Sequence, residues 1–103
     1  MNISQHKFKA GDLLQSSIHP NYHVFVDEVL TSQYKVCHVF IYENDKLIQY
    51  SKNAGHDCWM KFEEIEIGTL SGYGSFKKVG YIPALISNKT IRINKVNGEI
   101  KQL

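Results

Sequence analysis

The stretch YKVCHVFIY, residues 34–42, decides the fold. Val36, Phe40 and Tyr42 alternate with Cys37, Val39 and Ile41, so both faces of an extended segment are apolar. Successive side chains of a strand point to opposite faces. A half-exposed antiparallel strand therefore alternates apolar with polar residues, which this one does not. It needs a core on one face and cover on the other. The cover is either the C-terminal third of the chain or a second copy. The polar ENDK at residues 43–46 turns the chain, and residues 47–52 return beside it.

Upstream, residues 22–30 read as a second strand. Tyr22, Val24, Val26 and Leu30 share one face and Phe25 and Val29 the other, with Glu28 breaking the pattern. A bulge at Asp27–Glu28 resolves the break, as an extra residue shifts the alternation by one. Before it, Gly11-Asp12 marks a turn into a short strand at residues 13–18. Pro20 excludes a strand interior in the connection that follows.

Downstream, residues 53–57 read as a loop and 58–61 as a short strand. A helical turn is expected at 62–65 and a closing strand at 66–70. SGYGS at 71–75 is a connector, and residues 81–87 suit a strand or a short helix. Residues 90–96 and 99–103 form a hairpin. Its Asn97-Gly98 pair favours the positive φ angles of a type I′ turn. Ile91, Ile93 and Ile100 supply its apolar side, which must dock on the body because an isolated hairpin is marginal in water.

The 103 residues suit one domain, with 43% hydrophobic and 12% aromatic side chains to fill its core. No apolar run has the length of a signal peptide or a membrane span, so the expected location is cytoplasmic. Cys37 and Cys58 are then free thiols. Charge divides unevenly. Residues 1–69 hold six lysines against nine acids, or −3; residues 70–103 hold six basic residues against Glu99 alone, or +5. A basic third of this kind marks a nucleic-acid or acidic-partner surface, or a segment lying on its own acidic body.

FKAGDLL at residues 8–14 and CWMKFEEIEI at residues 58–67 frame these strands. With the two long apolar strands and the polar hairpin between, the order resembles the small SH3-like barrels common among bacteriophage and mobile-element proteins. The resemblance covers residues 8–69. It implies a mostly β protein: a five-stranded barrel, carrying residues 70–103 as a basic extension. It implies no catalytic residues, since such barrels bind proteins, RNA, DNA or peptides. The function it implies is that of a non-enzymatic accessory factor, occluding or inhibiting a host protein or nucleoprotein complex from the host cytoplasm. It acts as a monomer or homodimer, without a membrane or cofactor. The alternative is an RNA- or DNA-binding module using the basic third.

The binding residues expected on either reading are Tyr73, Phe76, Lys77, Lys78, Lys89, Arg92 and Lys95. Tyr73 and Phe76 offer rings for stacking and Lys77 and Lys78 meet phosphate, although GYGSFKK lacks the ending of a phosphate-cradling loop. Trp59, Tyr22, Tyr42 and Tyr50 either line a peptide groove or, for Trp59, pack under the helical turn. His19 and His23 have H-x-x-x-H spacing, but Pro20 removes the helix that gives this spacing its meaning. His56 and Cys58 would have to join them to complete a zinc site. His56-Asp57-Cys58 has the letters of a thiol triad, yet neighbours in an extended segment do not face one another. No metal and no enzyme is expected.

Overall fold

The computed structural model describes residues 7–68 and 73–102, with the backbone alone for residues 54–58. The strands are β1 (Asp12–Ser16), β2 (His23–Val29), β3 (Gln33–Glu43), β4 (Leu47–Lys61), β5 (Phe76–Tyr81), β6 (Thr90–Asn94) and β7 (Ile100–Gln102). One helical turn, α1 (Phe62–Glu66), follows β4, and a 3-10 turn spans Pro83–Leu85. Among the described residues these seven strands join one antiparallel sheet in the order β5-β1-β2-β3-β4-β6-β7. The C-terminal hairpin docks by continuing this sheet, β6 pairing with β4 from Leu47↔Asn94 to Ser51↔Thr90.

β3 is buried on both faces, as its composition demands. On one face Tyr34 and Val36 meet Leu14, Val24, Val26 and Phe76, capped by Phe8 from the lead-in and Ile65 from α1. On the other face Cys37 and Val39 meet Leu13 and Phe25, covered by Leu85 and Ile91. The cover on the second face thus comes from the C-terminal third. The expected bulge lies between Val26 and Glu28, and it carries Val29 over to the first core.

Tyr34 secures the first core with its polar end. Its hydroxyl donates to the Glu66 carboxylate at 2.5 Å and accepts the Phe8 N–H at 3.0 Å. Burial, reinforced by the Glu66 carboxylate, pushes the Tyr34 hydroxyl above its usual range. Gly11 has φ +99°, and a Cβ there would sit 2.7 Å from the Tyr81 ring. The turn into β1 therefore requires glycine.

Three expectations change. The closing strand expected at residues 66–70 does not form over 66–68: Glu66 ends α1, and β5 pairs with β1. Residues 69–70 lie outside the described residues. β5 was hidden because only Phe76 is buried while Lys77, Lys78 and Val79 are exposed. Residues 53–57 do not separate two strands but belong to the long β4, whose pairing with β3 jumps from Lys52 to Asp57. The last hairpin has no type I′ turn. Asn97 lacks the positive φ such a turn needs, and only Gly98 has it. The Asn94 carboxamide accepts the N–H groups of Val96 and Asn97, which widens the loop to Lys95–Gly98.

Candidate ligand-binding face

The β3–β4 hairpin is longer than the strands beside it. Pairing of β2 with β3 ends at His23↔Val39, whereas β3 pairs with β4 as far as Glu43↔Ile48. On the face of the first core, β3 continues from Val36 through His38 and Phe40 to Tyr42. The apolar alternation runs on, but the cover that the described residues give the first core does not. Phe40 is 54% exposed and Tyr42 59%.

A ladder of rings leads from the first core onto this face. Tyr73 stacks on Tyr22 at 4.0 Å with an interplanar angle of 8°. Tyr22 stacks on His38 at 4.6 Å, and His38 meets Phe40 at 4.6 Å. His19 closes the far end edge-on to Tyr73. Offset and tilted pairs of this kind contribute about 0.5–1.5 kcal/mol each beyond the area they bury. Ser16 holds the crossing point: its hydroxyl donates to the Tyr73 carbonyl and accepts the N–H groups of Ile18 and His19. A cleft of about 390 Å³ opens beside the ladder, between Tyr22, Val24, Val36, His38, Met60 and Tyr73.

Beyond the ladder the face turns polar. Register sets Tyr42 opposite Gln49, Gln49 opposite Arg92, and Arg92 opposite Lys101, in one row across four strands. The next row is Phe40, Ser51 and Thr90. Directly opposed residues share a face. The Gln49 carbonyl oxygen accepts from Nε and from one terminal nitrogen of Arg92, at 3.2 and 3.0 Å, and so fixes the guanidinium.

The seven expected binding residues do not form one surface. Tyr73 belongs to the ladder. Phe76 is 3% exposed and buried in the first core, so its ring has no face left for stacking. Lys77 and Lys78 lie on β5, at the opposite edge of the sheet from β6 with Arg92 and from Lys89 and Lys95 at its ends. Lys78 pairs with the buried Asp12 at 3.2 Å, and Lys95 with Glu43 at 2.6 Å. The basic third is thus contiguous in sequence and divided in space. Trp59 does not pack under α1: it is 55% exposed, with the Lys35 ammonium 5.5 Å from its ring. Tyr50 packs on the second core, and burial beside the Glu43 charge raises its hydroxyl.

The residues that sequence reasoning missed are Phe40, Gln49 and His38. Their signal was length: the strand at 34–42 and its return at 47–52 outrun residues 22–30 at the hairpin end. His19 and His23 lie apart, His19 on the ladder and His23 beside Leu13 and Val39 of the second core. Among the described residues no three His, Cys, Asp or Glu side chains gather as a metal site. The His56, Asp57 and Cys58 side chains lie outside the described residues, as do Ser71 and Gly72. Among the described residues no helix is long and apolar enough to cross a membrane. Neither the family models, the curated proteins nor the solved structures contain a match to this chain.

Proposed function

We propose that this chain is a non-enzymatic binding protein of the bacteriophage or mobile-element type, built on an SH3-like barrel and acting in the host cytoplasm. It occludes a host protein or nucleoprotein complex. The run β5-β1-β2-β3-β4, with one helical turn between β4 and β5, supports the barrel reading. In that reading the first core is the barrel interior. β6, β7 and the 3-10 turn are an addition that covers its outer wall.

One observation carries the binding reading: the ring ladder ends on Phe40, with Tyr42 two residues further along the same face, and both are more than half exposed among the described residues. Exposed aromatic residues in a contiguous patch characterise interaction sites. Aromatic side chains also supply a disproportionate share of interface energy. The ladder fixes the Phe40 ring in advance, so little of its side-chain entropy remains to be lost on binding.

The test is affinity capture from bacterial lysate, with and without nuclease, by the wild-type chain and a Phe40→Ala/Tyr42→Ala variant. The wild type should retain a partner that the variant loses. Retention of the same partner by both would place binding elsewhere on the molecule.

A further inference from the structure

We propose that the open face of β3, β4, β6 and β7 binds single-stranded nucleic acid, with bases stacked on Phe40 and Tyr42 and the backbone following Arg92 and Lys101. This rests on the binding role proposed for that face and names its ligand. What surrounds the two rings, Phe40 and Tyr42, selects the ligand. Their neighbours on the face are Gln49, Ser51, Thr90, Arg92 and Lys101. These are polar; Leu47 lies at the rim and the apolar cleft lies beside the ladder, so an apolar peptide would find flat rings with no aliphatic side chain directly across from them. A base needs a flat ring, hydrogen-bonding groups at its edge and a cation for its phosphate, and these rows present all three.

Charge at the rim agrees. A small pocket of about 180 Å³ borders the Arg92–Lys101 end of the row, lined by Lys46, Leu47, Arg92, Asn94, Glu99 and Lys101. Three cations there face one carboxylate. Among the described residues, the ion pairs are Lys52–Asp27, Lys78–Asp12 and Lys95–Glu43, so Arg92 and Lys101 are engaged in none of them. The Arg92 guanidinium is held by an amide, which leaves its charge uncompensated.

The spacing is suitable. Strands lie about 4.8 Å apart, so Arg92 is about 10 Å from Tyr42 across the sheet and Lys101 about 14 Å. Phe40 and Tyr42, two residues apart on one strand, are separated by about 6.8 Å along it. A base on Tyr42 then leaves its sugar over Gln49 and its phosphate towards Arg92. A duplex hides the faces of its bases and cannot use these rings.

Fluorescence anisotropy with labelled twelve-nucleotide oligo(U) and oligo(dT), and with a duplex control, tests this at 50 and 200 mM salt. The single strands should bind, and the better of the two identifies the sugar preferred. The duplex should bind more weakly. Phe40→Ala and Tyr42→Ala should each reduce affinity about tenfold, as loss of one stacked base predicts. Phe40→Leu keeps apolar bulk without the π face and should lose nearly as much, which separates stacking from a folding defect. Lys101→Gln should lower the slope of log affinity against log salt by about 0.7, the share of one phosphate on a single strand. No binding at 50 mM salt, equal binding of the duplex, or unchanged affinity in Phe40→Leu would overturn the assignment. If no oligonucleotide binds, yet a nuclease-resistant partner is still captured by the wild type and lost by Phe40→Ala/Tyr42→Ala, the binding face stands and its ligand is a protein.

Discussion

The two ends of one sheet face have opposite fates. At one end Tyr34, Val36, Val24 and Leu14 are fully buried beneath Phe8, Ile65 and Phe76. At the other, on the same strand and the same face, Phe40 and Tyr42 are more than half exposed. On β3 itself both ends carry large apolar side chains, Tyr34 and Val36 at one and Phe40 and Tyr42 at the other. What differs is the cover. Phe8 and α1 pack on the first end, and β2 stops pairing at Val39. The opposite face shows the same rule from the other side, since Cys37 and Val39 are buried only because Leu85 and Ile91 return over them. Apolar character states that a residue will stick to something. Topology decides whether that is the chain itself or a partner.

Truncation within either core should have the largest effect on stability. Leu14→Ala at the covered end and Leu85→Ala in the second core should each cost about 2–5 kcal/mol in urea unfolding, because each leaves a cavity. Phe40→Ala and Tyr42→Ala should cost no more than about 0.5 kcal/mol, the scale of surface substitutions. If Leu85→Ala were as mild as Tyr42→Ala, the C-terminal third would not be the cover of the second face.

Tyr34→Phe should have the next largest effect, about 1–3 kcal/mol. It removes a hydroxyl that satisfies a buried N–H while adding no cavity. Thermal unfolding would show the loss. Wild-type stability in this variant would mean that the Phe8 N–H is satisfied in another way and that the lead-in is not held through Tyr34.

The smallest effect concerns pH. Burial lowers the imidazole pKa of His23 below its ordinary 6.5, against an opposing hydrogen bond at the Asn21 backbone. The folded state then binds a proton less readily than the unfolded chain. The contribution of His23 to stability is present above pH 6.5 and lost as pH falls through 6.5 and the lowered folded value. Unfolding measured from pH 7.5 to 5 should therefore show a shallower acid loss in His23→Gln than in the wild type. An unchanged slope would place His23 in contact with water.

Much of this architecture was legible in local pattern. The two apolar faces of residues 34–42 demanded cover from outside the first core, and the interrupted alternation at Asp27–Glu28 demanded a bulge. The features that were not legible depend on distant partners. β5 carries no apolar alternation because Lys77, Lys78, Val79 and Tyr81 are exposed at a sheet edge, where lysines also discourage edge pairing between molecules. Asn97-Gly98 signalled a two-residue turn, but the Asn94 side chain imposed a longer one. For the site, Tyr73 was expected as a ring that stacks on bases; in the fold it stacks on Tyr22, which is 51 positions away in the chain, and no pattern joins the two. Phe76 carried the same ring and went to the core. The charge asymmetry of residues 70–103 was real, but strand order divides it between two edges.

The central claim is that the uncovered end of this face is where a ligand sits. A two-dimensional NMR titration of the labelled protein with a single-stranded oligonucleotide tests it most directly. Shift changes are expected at Phe40, Tyr42, Gln49, Arg92 and Lys101, fading towards Val36 and absent from Lys77 and Trp59. Changes centred on β5 or on Trp59, with the β3–β4–β6 face silent, would contradict it.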